Sequence, residues 1–117
     1  MSNLSPDRSA TSWSLENEIR SVCDEAVRQK GRIARMLLKS PEVRVVVIGI
    51  AKGVTWPQHT AAGRVLVRVE QGCIELGTRD GTTQLGAGML TALEPGQPHD
   101  VRAVENSAFL LIVAGQQ

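Results

Sequence analysis

Aromatic side chains are nearly missing from the 117-residue sequence, which has no Tyr, one Phe and two Trp. Such a chain lacks the stacked aromatic platform that holds single-stranded nucleic acid, so that class is excluded. An excess of either charge is missing too. Thirteen Lys and Arg stand against twelve Asp and Glu, a formal +1 that draws in neither nucleic acid nor an anionic membrane. The apolar run Val45 to Ala51 is seven residues, far short of the roughly 20 a membrane helix needs. The opening MSNLSPDRSATSWS has neither the basic nor the apolar stretch of a secretory signal, so a cytoplasmic protein is expected. Cysteine is scarce: Cys23 and Cys73 lie in segments of different element type, which argues against a disulfide scaffold and for two small buried hydrophobes. Phosphate-loop and serine-elbow motifs are absent as well. Gly86 and Gly88 of LGAG are followed by no Lys-Ser/Thr pair and read as a tight turn, and neither histidine has a GxSxG nucleophile to serve.

What is present divides into three parts. Residues 1–13 carry no hydrophobic period and read as a tail. Over 14–30, Leu15, Ile19, Val22 and Ala26 recur on one helical face, with Ser14 as N-cap and Gly31 as the stop. From 31 to 117 the period shortens to two, and glycines and prolines cut the chain into candidate strands at 32–39, 43–51, 64–70, 73–77, 82–85, 89–93, 100–105 and 108–114. Strands this short and this regularly spaced predict an all-β sandwich or barrel preceded by one amphipathic helix. In RVLVRVE, Val65, Val67 and Val69 share one face; Asp80-Gly81 marks a hairpin. VRVVVIGI and AFLLIVA are apolar on both faces, which predicts a core on one side and a helix or a second subunit on the other. The surplus apolar surface of VRVVVIGI makes a homodimer the expected assembly. Arg28, Lys30, Arg32, Arg35 and Lys39 form a basic band without an acid, read as a solvated helix end and strand edge rather than a nucleic-acid surface.

Two glycine-bounded motifs carry a resemblance. The first runs Gly53-VTWPQ-His59-Thr60-Ala61-AGRVLVRVEQ-Gly72; the second runs Gly88-MLTAL-Glu94-Pro95-Gly96-Gln97-Pro98-His99, with Ala103 beyond it. Over about 32–114 the chain resembles the cupin superfamily, whose members are antiparallel β-barrels of the jelly-roll type. The resemblance implies a metal in the barrel lumen, held by two first-motif histidines, a glutamate and the second-motif histidine. His59 and His99 match two of these positions, while Ala61 stands for the second histidine, Val65 for the glutamate and Ala103 for the closing asparagine. Two imidazoles fall short of the three or four protein ligands of a stable site, so no cofactor is expected. The principal reading is a small, largely apolar ligand bound in the lumen by Trp56, His59, Ala61, Val65, Val67 and His99. The alternatives are a metal-dependent enzyme of the dioxygenase or isomerase kind, with divalent Fe, Mn, Ni or Zn on His59 and His99, and a dimeric interaction module. Trp13 and Phe109 read as packing residues, and a histidine pair meeting in a dry lumen is expected to titrate low.

Overall fold

In the computed structural model, which describes residues 10–115, Ser14 has extended backbone and its hydroxyl accepts from the Asn17 N–H at 3.2 Å. That capped turn opens α1, Leu15–Gln29, with Glu16 and Glu18 at its positive end and Arg28 at its negative end. The helix stops one residue earlier than the glycine suggests. Lys30 itself takes the left-handed conformation (φ 55°), and the Lys30 and Gly31 N–H groups donate to the Val27 and Ala26 carbonyls. The buried stripe is Ile19, Val22, Cys23 and Ala26. Leu15, expected on that face, is 41% exposed and lies in a surface groove with Trp13, Leu37 and Leu38, while Cys23 takes its place under the helix. Most of the expected tail, 1–9, lies outside the described residues.

The described residues also form nine strands: β1 Arg32–Lys39, β2 Val43–Ile50, β3 Thr55–His59, β4 Arg64–Gln71, β5 Cys73–Thr78, β6 Gly81–Gly86, β7 Leu90–Leu93, β8 His99–Ala103 and β9 Ser107–Ala114. One antiparallel sheet runs β1-β2-β9-β4-β7 and the other β3-β8-β5-β6, the jelly-roll sandwich expected. The strand that sequence reading omits is β3. Its Pro57 argues against a strand, yet at the edge of the second sheet a missing N–H leaves no ladder bond unmade. The hairpin expected at Asp80-Gly81 turns through Arg79 and Asp80, with Thr78 opposite Gly81.

Between the sheets lies an apolar core of Val46, Ile48, Ile50, Val65, Val67, Val69, Ile74, Leu76, Leu85, Leu93, Val101, Ala103, Phe109 and Val113. The other face of β2 and β9, with Val47, Ala108 and Leu110, receives Ile19, Val22 and Cys23 of α1. Burial of Ile19 or Val22 contributes about 1.5–3 kcal/mol. The doubly apolar strands are therefore covered as expected, and the second cover is the chain's own helix. Once that face is filled, the run VRVVVIGI supplies no separate reason for a homodimer. Arg35, expected to be solvated, instead pairs with Glu18 (2.9 Å) and Glu25 (3.7 Å) of α1.

Two close approaches fix the layers. A Cβ at Gly49 would collide with the Val22 carbonyl, so the helix lies against bare backbone there. At the far corner Ser107 is fully buried. Its hydroxyl accepts from the Cys73 N–H (2.9 Å) and is within donating distance of the Glu105 carbonyl (2.7 Å), tying the β4–β5 turn to the start of β9. Cys23 is buried, Cys73 partly so, and both are free thiols. No helix among the described residues is long and apolar enough to cross a membrane.

Gly49→Ala is expected to destabilise the fold by about 1–3 kcal/mol, because the methyl has nowhere to go unless α1 lifts from the sheet. A urea titration reads this as a lowered midpoint; an unchanged midpoint would mean that the helix does not seat where it is described.

Candidate functional site

The mouth of the barrel is built where β3 meets β8. His59 sits opposite His99 in the register, and Trp56 opposite Val101. Alternation along β8 sends His99, Val101 and Ala103 inward, and His99 is 3% exposed. On a regular strand Trp56 and His59, three apart, would point to opposite faces. The register shift between them acts as a bulge that turns both toward the interior.

The rings therefore stack in series. The His59 and His99 centroids are 4.1 Å apart at 63°, Trp56 stacks on His59 at 4.8 Å and 20°, and Phe109 stands 6.4 Å behind Trp56. The Arg32 guanidinium lies 5.4 Å over the indole, a cation–π contact.

Both imidazoles are held in the same way. Nδ1 of His59 is 2.9 Å from the Pro57 carbonyl, and Nδ1 of His99 is 3.0 Å from the Gln97 carbonyl, each two residues back in the chain. A carbonyl oxygen only accepts, so each Nδ1 carries the proton. In the neutral ring this leaves Nε2 as an acceptor. Burial pushes the His99 pKa below its ordinary value, and the neighbouring His59 ring adds to the effect, against the opposing pull of the Gln97 carbonyl. The expectation of a histidine titrating low is met at His99.

The other residues singled out in the sequence are placed differently. Ala61 lies at the mouth, partly buried, with its carbonyl accepting from the Gly96 N–H (2.8 Å) and so joining the loops before β4 and before β8. Val65 and Val67, on the facing sheet, are 2% and 1% exposed and belong to the packed core. They fill the interior rather than wall an open space. Glu94 is turned outward in an ion pair with Arg64 (3.2 Å). Asp100 lies on the outer face of β8, its carboxylate in the room left by the missing side chain of Gly77, beside a concavity of about 400 Å³.

The motif resemblance implies a metal, and the donors present do not make a site for one. Among the described residues no group of three or more His, Cys, Asp or Glu side chains is placed to hold an ion. Two Nε2 atoms with no third protein ligand do not fit a resident catalytic or structural metal. Sequence reasoning also missed Arg32, whose place over Trp56 depends on unseen β3, and Arg44. The latter was legible: it falls in the same alternation phase as Val46, Ile48 and Ile50.

No family model matches the sequence, and no curated protein does. Solved structures match it in shape. A conserved protein of unknown function from Streptococcus pyogenes superposes with a TM-score of 0.77 at 23% identity, covering 100% of this chain and 97% of that one. A cupin superfamily protein from Desulfitobacterium hafniense gives 0.70 at 16%, covering 73% and 78%. The DMSP lyase DddQ from Ruegeria pomeroyi gives 0.69 at 18% over 74% of this chain and 48% of its own.

Because the His99 pKa is lowered on folding, the unfolded chain takes up the proton first. The stability this site contributes is therefore complete above the unfolded value of about 6.5 and is lost as pH falls through the folded value. Urea midpoints between about pH 7.5 and 5 are expected to fall with a slope that flattens in His99→Gln. An identical slope in the variant would show that the ring is not desolvated.

Proposed function

The chain has the cupin fold, and from it we propose a small-molecule-binding protein whose ligand is read at the barrel mouth by His59 and His99. The observation that carries this is the sealing of both Nδ1 atoms on the Pro57 and Gln97 carbonyls, which leaves two adjacent Nε2 acceptors beside an indole. Acceptors of this kind take hydroxyl or amide N–H donors, and the Trp56 face takes the apolar side of the same molecule. Behind them Val65, Val67 and Phe109 fill the interior, so the ligand is small and stays at the mouth. No carboxylate joins the imidazoles among the described inward residues, which favours binding over acid–base catalysis. The free thiols suit a reducing, cytoplasmic setting.

A second reading has one observation in its favour. Carbonyl-held Nδ1 atoms are also the usual outer support of metal-bound imidazoles, which speaks for a metal-dependent enzyme with divalent Fe, Mn, Ni or Zn on His59 and His99. The missing third ligand speaks against it.

Plasma-emission analysis of protein purified without a histidine tag is expected to show well under one metal per subunit. Long-range proton–nitrogen spectra are expected to place the proton on Nδ1 of both rings, and a panel of polyols and hydroxy acids to shift those ring signals. Stoichiometric metal that disappears in His59→Ala would replace this reading with the second, and a panel that moves neither ring would remove the first.

A further inference from the structure

Among the described residues a half-buried charged side chain, that of Arg44, sits on the inward phase of the larger sheet. Arg44 lies on β2 in phase with Val46, Ile48 and Ile50, and its register partner on β9 is the core residue Val113. The end of the barrel it occupies follows from the corner at Ser107. Ser107 pairs with Ile50 and bonds to Cys73, so the Ile50 end of β2 lies with the Cys73 end of β5. The opposite ends then lie together: Arg44 on one sheet, and on the other Thr78, which pairs with His99, which pairs with His59.

At that place Arg44 Nε is shut off from solvent and has no hydrogen-bond partner among the described residues. None of the described ion pairs includes it. Lys39, opposite it on β1, adds a second positive charge, while Glu94 is engaged by Arg64 and the Glu42 carboxylate by Ser40. A guanidinium keeps its charge and can only donate. Buried donors in folded proteins are paired, so this one calls for an acceptor that none of the described residues provides.

We propose that Arg44 anchors the anionic group of the ligand, and that the ligand is a small hydroxycarboxylate: its carboxylate accepts from Arg44 while its hydroxyl donates to the imidazole Nε2 atoms. This rests on the mouth-binding reading for the hydroxyl half only. Charge-assisted N–H···O bonds to a carboxylate are the strong kind, and partial burial strengthens them further.

The test uses glycolate, with ethylene glycol as its neutral counterpart and sulfate as a generic anion. It is read by NMR on the Arg44 Nε–H, identified by its loss in Arg44→Lys, and on the ring signals of His59 and His99. Glycolate is expected to move all three saturably and ethylene glycol the imidazoles alone, with Arg44→Gln weakening glycolate by about tenfold or more. Should Arg44→Gln not fold, Arg44→Lys, which keeps the charge but loses Nε, is expected to weaken glycolate as well. If glycolate moves the imidazoles equally in wild type and variant, the anchor is overturned and the mouth reading stands. If it moves Arg44 while neither probe moves the imidazoles, the joint site and the mouth reading fall together. Sulfate matching glycolate would reduce Arg44 to an unspecific anion contact and overturn the hydroxycarboxylate assignment.

Discussion

Over Val46–Ile50 and Ser107–Leu110 the pairing of β2 with β9 is buried on both sides, by Val46, Ile48, Ile50 and Phe109 toward the facing sheet and by Val47, Ala108 and Leu110 toward the helix. Every other layer is placed relative to that pair. The helix reaches it through the bare backbone of Gly49, the edge strand β1 extends it, and β4 continues it on the far side. A ladder excluded from solvent on both faces keeps its backbone hydrogen bonds at full strength. This makes the five-stranded sheet the rigid wall against which the smaller sheet is set.

The candidate site stands on the less secure side. His59 and Trp56 belong to β3, which is short, interrupted by Pro57, bulged, and an edge strand paired in the ladder with β8 alone. What holds their rings in place is mutual: indole on imidazole, imidazole on imidazole, and each Nδ1 on a carbonyl of its own chain segment. A weakly supported strand can yield to an incoming molecule at modest cost, whereas the strands behind it cannot. The binding we propose at the rim, with a solid core behind it, accords with that difference.

Much of this was legible in the residues, and the exceptions have definite causes. The helix announced itself through Ser14 and the spacing of Ile19, Val22 and Ala26, and the convergence of His59 with His99 through two glycine-bounded motifs. Strand β3 was hidden because its proline is harmless only at an edge, and edges belong to topology rather than to local sequence. Trp56 was read as a lumen residue beside His59, but the bulge that brings both there was hidden, since alternation assigns opposite faces to residues three apart. The cover of VRVVVIGI was ambiguous between helix and subunit because both offer the same apolar surface. The filled interior was not legible either: Val65 and Val67 read equally well as a wall or as a core, and only the distance between the sheets decides.

The position of β9 in its sheet sets an order of events. It is the last strand in the described chain, yet it lies between β2 and β4, which come much earlier. Helix α1, β1 and β2 are contiguous and can assemble from near neighbours as soon as they leave the ribosome, but the larger sheet stays in two pieces until Ser107–Ala114 arrives to join them. Until then the open edge of β2 and one face of the helix remain uncovered, the kind of surface that chaperones hold and that aggregates when nothing does. A nascent chain stalled before β9 is thus the sticky form of this protein, and completing the strand that closes the sheet also removes the hazard.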